Sequence, residues 1–298
     1  MNIPFVDARI VVGMPVYNAA DTVADAITSI LAYPNNDLRL VISDNASTDE
    51  TPHICSSFAR NDRRVVFVRQ PRNMGAESNF DLVLAAARSH YFMWAAADDI
   101  RSPDFIERCA GFLDRNADYV GATCPVRLKG KPFNPIAMGD ASIDDPSPYS
   151  RMLMMVGRMH ANGRFYSLLR REALTDWPEH RKAYLGADWT LTLRLLHAGK
   201  MKRLDGGWVE LGNNGASRRL TIFASNRKRL LHWPLPLLDF SREALSAFAG
   251  APLADKARLW AKLAVINAIG ATMQVRHEVR MRLNERDAST VRVPPGSL

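Results

Sequence analysis

Leu38-Arg39-Leu40-Val41-Ile42-Ser43-Asp44-Asn45 is a short apolar run that closes on an acid. The same plan recurs at Tyr91-Phe92-Met93-Trp94, which passes through three alanines to Asp98-Asp99. Upstream of both, Arg9-Ile10-Val11-Val12-Gly13 reads as a first strand, and Arg64-Val65-Val66-Phe67-Val68 as another between them. Helical patterns fill the gaps: Ala19 to Leu31 with Ile27, Ile30 and Leu31 on one face, and Ala76 to Arg88. Ser47-Thr48-Asp49-Glu50 has the Ser-x-x-Glu pattern of a capping box, with Asp49 read as a helix-start residue. Ser102-Pro103 predicts the N-cap and first residue of a further helix. Strands alternating with helices predict βαβ units, hence an α/β fold of Rossmann type with a mainly parallel sheet and helices on both faces.

In such a sheet, ligands bind outside the carboxyl ends of the strands. Carboxylates there are poor partners for a bare phosphate. They suit ribose hydroxyls, a uracil N–H, or a divalent cation that itself carries phosphates. The chain has no GxGxxG after its first strand and no GxxxxGK[ST] anywhere, which argues against dinucleotide and P-loop sites.

Beyond Gly121 the pattern changes. Val120 to Leu128 reads as a strand, Gly130 to Pro148 as a loop, Tyr149 to Met159 as a helix and Gly163 to Leu169 as a strand. Asp188 to His197 reads as an apolar helix ended by Gly199, and Leu204 to Leu211 as a last strand. After residue 221 only helical material is expected, so the chain divides into residues 1–220 and a helical extension, 221–298. Residues 1–200 carry 23 of the 39 Lys and Arg and 23 of the 31 Asp and Glu, so the net charge of +8 lies wholly in the last third. A basic end of this kind fits an anionic membrane surface or a phospholipid-linked acceptor. No aromatic-basic motif of a nucleic-acid module accompanies it. Cys55, Cys109 and Cys124 have no metal or redox spacing and read as reduced, semi-buried thiols of a cytoplasmic protein. Neither a signal-peptide pattern nor an apolar run of spanning length is found; Leu263 to Val275 is too short.

The motifs in order are Pro15-Val16-Tyr17-Asn18, Ser43-Asp44-Asn45-Ala46-Ser47-Thr48-Asp49, Asn73-Met74-Gly75 and Asp98-Asp99. Over residues 8–220 this order resembles the family 2 glycosyltransferases, which have a GT-A fold. The resemblance implies inverting transfer of a single sugar from a nucleotide-sugar donor, UDP-linked, to a glycan or lipid-linked acceptor. It implies nucleotide contacts from Pro15, Tyr17, Asn18, Asp44, Asn73, Gly75 and Asp98, with Asn79 nearby. It also implies Mn²⁺ or Mg²⁺ held by Asp99 and Asp98, and Asp188 as the general base.

Two acids usual in the family are replaced here, by Ala96 and Ala187. Asn162 to Arg171 resembles the acceptor side, and Asn213 to Arg218 a loop over the diphosphate, where Arg218 or Arg219 would meet phosphate. The loop lacks the His that often ligates metal, and no Gln-x-x-Arg-Trp motif of processive synthases occurs. A nucleotide-sugar-binding protein of little activity and a nucleotidyltransferase are the alternatives. The latter normally shows a Gly-rich basic first loop, which Met14 to Asn18 is not.

Overall fold

A computed structural model describes residues 3–128, 140–157, 164–175, 184–212 and 222–290, with the side chains of the last helix described to residue 283. The chain folds as two compact units. The first comprises Met1–Lys182 with Asp188–Asn213, the second Ala183–Ala187 with Asn214–Leu298.

The first unit is built on a seven-stranded sheet in the order β3-β2-β1-β4-β8-β6-β9. Its strands are β1 (Val6–Val16), β2 (Leu38–Asp44), β3 (Val65–Arg69), β4 (Ala87–Trp94), β6 (Tyr119–Thr123), β8 (Leu168–Arg170) and β9 (Lys200–Arg203). Pairing is parallel from β3 through β4, and β8 runs antiparallel between β4 and β6. Ile10, Val12 and Met14 of β1 join a core with residues of α1 (Val23–Leu31), α2 (Thr51–Asn61) and α4 (Phe105–Arg115). The opposite face of β1 is covered by α3 (Ala76–Ala86). A Cβ on Gly13 would stand 2.7 Å from Val83 Cγ2 and 2.9 Å from Phe92 Cζ, so only glycine lets α3 lie this close. Burial on both faces is why these strands read as apolar runs rather than alternations.

Several expectations shift. Val120–Leu128 is two strands, because Pro125 cannot donate to a ladder. β6 stays in the main sheet, while β7 (Val126–Leu128) joins β10 (Val209–Leu211) and β5 (Ile100–Arg101) in a three-stranded sheet. Of the strand expected over 204–211, only β10 forms; Gly207 turns the chain at φ +72°. β9 carries no strand signal in the sequence, because Lys200-Met201-Lys202-Arg203 has little apolar content at a sheet edge. Of the 163–169 strand, only β8 is a strand among the described residues. The capping box does not form: α2 starts at Thr51 with Glu50 at its N-cap and no side-chain cap. Asp49 does serve the helix start, accepting from Thr51 N at 3.0 Å. Burial opposes its ionisation, but hydrogen bonds from Thr51 and Ala20 outweigh it and keep its pKa below the usual range. α4 starts at Phe105, two residues later than expected; Ser102 donates to Asp104 Oδ1 (2.7 Å) and accepts from Trp208 N (3.0 Å). The three cysteines are free and fully buried rather than semi-buried. Further on, α5 is Pro148–Val156 and α6 is Ala187–Ala198.

The second unit carries α7 (Ile222–Asn226), α8 (Leu238–Ala247) and α9 (Leu253–Thr290). Leu259, Leu263, Asn267, Gly270 and Gln274 of α9 are buried at three- and four-residue spacing. Asn267 donates to Ser241 Oγ (3.0 Å) and accepts from Leu237 N (3.0 Å), while Gln274 donates to the Trp233 carbonyl (3.1 Å). A Cβ on Gly270 would reach 2.8 Å from Pro236 Cγ. Among the described residues no helix is long and apolar enough to cross a membrane.

Candidate active site

The ladder registers set Val16 beside Asp44, Asp44 beside Arg69, and Gly13 beside Trp94. The segments leaving β1, β2, β3 and β4 therefore emerge at one edge of the sheet, the edge where open α/β folds bind ligands.

Between β1 and β2 the exit loops are locked together. Asn18 and Ala46 both adopt left-handed backbone, at φ 49° and 61°. Asn18 Oδ1 accepts from Thr48 N (2.9 Å), and Asn18 N donates to Ser47 Oγ (2.9 Å). The Ser47 hydroxyl donates in turn to Asp44, which also accepts from Ser47 N at 3.2 Å. Arg69 Nε stands 3.3 Å from Asp44 Oδ2, and Arg69 Nη2 donates to the Ser47 carbonyl (2.8 Å). Asp44 itself is fully buried within this cluster, whereas the Arg69 side chain is 54% exposed and Tyr17 48%. Pro15 is half-buried beside them.

The segment after β3 is held by Asn45. Its amide donates to Asn73 Oδ1 (2.9 Å) and the Gly75 carbonyl (3.1 Å), and its Oδ1 accepts from Met74 N (2.9 Å). Gly75 precedes α3 at φ 88°, a conformation costly for other residues. Asn79, buried, donates to the Ser43 carbonyl (2.8 Å), so it ties α3 to β2.

Past β4, Asp98 is half-buried and Asp99 is buried. Asp99 Oδ1 accepts from Gly212 N (2.9 Å), while Oδ2 is buried without a hydrogen-bond partner. This contact follows from the small sheet. β5 and β10 pair Ile100 with Glu210 and Arg101 with Val209, so the next steps bring Leu211 and Gly212 back toward the acids. A Cβ on Gly212 would sit 2.1 Å from Asp98 Oδ2. Gly212→Ala is expected to push that carboxylate aside and weaken metal-dependent nucleotide binding by about tenfold or more, a loss of one good charged contact. Calorimetry would check it; unchanged binding would mean that Asp98 has no part in the site.

Burial raises the Asp99 pKa to about 6, Arg101 opposing the rise together with the Gly212 bond, and Asp98 adding to it. Arg101 is buried two residues away, its guanidinium 5.6 Å from the Phe105 ring centre. Tyr166 titrates above its ordinary value, first through burial and then through the nearby charges of Asp99, Asp188 and Asp98. Asp188 lies in the first turn of α6. The helix starts at Ala187, so Asp188 lies inside it rather than at the N-cap position.

Among the described residues no three His, Cys, Asp or Glu side chains form a preformed cation site. The donors present nonetheless fit a hard cation. The Oδ2 of Asp99 is an orphaned buried carboxylate oxygen beside a second carboxylate, and Mg²⁺-type sites commonly use one or two carboxylates plus substrate phosphates. A proton and a cation compete for that oxygen. Mn²⁺-dependent nucleotide affinity is therefore expected to be flat above pH ~7 and to fall about tenfold per pH unit well below 6. Titrations at pH 5, 6, 7 and 8 would reveal this; equal affinity at pH 5 and 7 would remove Asp99 from the metal shell.

Pro15, Tyr17, Asn18, Asp44, Asn73, Gly75, Asp98 and Asp99 thus lie at or past the ends of β1 to β4, and Asp188 lies on α6 of the same unit. Arg218 and Arg219 lie outside the described residues. Arg69, Arg101 and Gly212 belong to no motif of the sequence, and Tyr166 only to the acceptor-side stretch Asn162 to Arg171. For Ser47 the sequence signal is that of a helix cap. For Gly212 there is none, since its role depends on a pairing more than a hundred residues apart.

Three comparisons bear on these features. A family model described as "Glycosyl transferase family 2" matches residues 11–177. The glycosyltransferase GlyG of Streptococcus pneumoniae serotype 4 is 28% identical over 94 residues, 32% of this chain and 31% of its own length. The chondroitin synthase of Escherichia coli is 30% identical over 181 residues, 60% of this chain and 23% of its own. The chain spans less than half the length of the curated relatives it matches. Among solved structures, S. aureus TarS 1-349 in complex with UDP-GlcNAc aligns at TM-score 0.59 and 13% identity, covering 91% of each chain. The mannosyltransferase PcManGT of Pyrobaculum calidifontis, in complex with GDP-Man and Mn²⁺, aligns at TM-score 0.55 and 17% identity, covering 96% of this chain and 90% of that one. These two likenesses establish the GT-A-like fold. With more than half of its residues matched by the family model, the chain belongs to glycosyl transferase family 2.

Proposed function

We propose that this protein is an inverting glycosyltransferase that moves one hexosyl or N-acetylhexosaminyl group from a UDP-sugar to a hydroxyl acceptor. The observation that carries the reading is the Asp98-Asp99 pair past β4, with the buried, unpartnered Oδ2 of Asp99, at the sheet edge that also bears the Asp44–Ser47–Arg69 cluster. Binding of UDP-GlcNAc by TarS and of GDP-Man with Mn²⁺ by PcManGT supports a nucleotide-sugar donor here.

In this reading the exposed Tyr17 ring and Arg69 guanidinium receive the nucleoside. Asp44, buried and bonded to Ser47 and Arg69, acts through them by fixing their positions. Asn45 holds the Asn73 to Gly75 segment as the adjoining wall. Asp99 Oδ2 and Asp98 would hold Mn²⁺ or Mg²⁺, which when bound supplies positive charge to the diphosphate. Asp188 takes the proton of the acceptor hydroxyl as its oxygen bonds to C1 from the face opposite the diphosphate. The C1–O bond to the diphosphate breaks with its electron pair leaving on UDP, so configuration at C1 inverts. A growing surface polysaccharide or a lipid-linked oligosaccharide is the acceptor class that best suits the basic second unit.

The test is release of UDP or GDP from a panel of UDP-sugars and GDP-mannose with Mn²⁺. Release from at least one UDP-sugar, abolished in Asp188→Asn, is the expected result. Nucleotide binding without turnover on any donor or acceptor would instead favour a binding protein, the reading to which Ala96 and Ala187 give some weight.

A further inference from the structure

We infer that the exposed side of α9 is a docking surface for an anionic phospholipid bilayer, lying in the headgroup region with the helix axis along the membrane plane. The buried side of this helix is already occupied within its own unit through Leu259, Leu263, Asn267, Gly270 and Gln274. On the exposed side Leu253, Trp260, Ala264, Ala268, Val275 and Val279 follow one another at helical spacing, and exposed Val265, Ile269 and Met273 lie beside that row. Leu253 is 84% exposed and Trp260 60%. Apolar side chains in such a row on a soluble surface mark a binding face.

Charge selects the occupant. Arg258 and Arg276 lie eighteen residues apart, as do Lys262 and Arg280, and eighteen residues are five full turns. The four cations therefore share one strip of the helix, with the exposed side chains of Ile269 and Met273 among them, and exposed Arg282 follows Ala264 by the same eighteen residues, so this side carries apolar and cationic groups together. The two carboxylates of the helix between residues 253 and 283 are both paired with arginine, Asp255 with Arg258 of this strip and Glu278 with Arg227, which leaves Lys262, Arg276 and Arg280 of the strip without a carboxylate partner among the described residues. A second copy of the chain pairing antiparallel about a two-fold axis would set this cationic strip against itself. An apolar row with cations beside it instead matches acyl chains beneath anionic headgroups.

The inference does not depend on the donor chemistry. Its test is flotation of the whole protein with vesicles of phosphatidylcholine alone and of phosphatidylcholine with phosphatidylglycerol at a 7:3 ratio. We expect binding to the anionic vesicles, at least about tenfold weaker in Trp260→Glu/Val275→Glu and in Arg276→Glu/Arg280→Glu. Circular dichroism of the variants, all at exposed positions, separates lost docking from lost folding. No flotation with anionic vesicles at low salt would overturn the inference. So would flotation unchanged by both pairs of substitutions, or a concentration-dependent dimer that Trp260→Glu/Val275→Glu abolishes while vesicles are ignored.

Discussion

Asp188→Asn is expected to lower kcat about a thousandfold while leaving the UDP dissociation constant within about twofold of wild type. The size follows from losing a positioned general base, which typically contributes 10²–10⁴. The choice of asparagine matters. Asn is nearly isosteric and tolerated in a helix's first turn as Asp is, so a structural role for Asp188 would survive the change while proton transfer would not. The kcat–pH profile provides a second readout: its acidic limb should vanish with the carboxylate. A variant that kept more than a tenth of wild-type kcat would reassign the base.

Asp99→Asn is expected to separate function from stability. Metal-dependent UDP binding should fall below detection, because the Asn carbonyl takes the bond from Gly212 N and sets its NH2 donor where the orphaned Oδ2 stood, and the ligand charge is lost. The unliganded fold should be as stable as wild type or more so. Its carboxyl pKa is raised, so the folded state holds the proton more tightly than the unfolded chain does. Below pH ~4 both states are protonated and nothing is lost. Between pH ~4 and about 6 ionisation disfavours the fold increasingly, and above that the full burden remains, up to about 3 kcal/mol for a rise from 3.8 to about 6. Removing the charge relieves it, less the cost of an amide donor left unpaired. Thermal melts of both proteins at pH 4.5 and 7.5 would check the sign: the variant's advantage should appear at pH 7.5 and shrink at 4.5.

Much of the site was legible because strand ends are local events. Leu38 to Asp44 and Tyr91 to Trp94 carry their own apolar signal, and the residue after each run is fixed at the sheet edge by the pairing of its strand. What sequence could not reveal is where a side chain turns once there. Asp44 follows the pattern of an acid facing solvent, yet it points into a cluster with Ser47 and Arg69. Ser47 satisfies the local rule for a helix cap, but the partner that wins is Asp44, three residues earlier. The environment of Asp99 was equally hidden. It is set by β10, which returns from far along the chain and pairs with a two-residue strand too short to leave a pattern.

The most direct test of the account is calorimetric titration of UDP and of GDP into the wild-type protein, each with and without Mn²⁺, alongside Asp99→Asn. UDP binding is expected to require Mn²⁺, to exceed that of GDP and to disappear in the variant. Binding of neither nucleotide under any condition, or metal-independent binding untouched by the substitution, would contradict it.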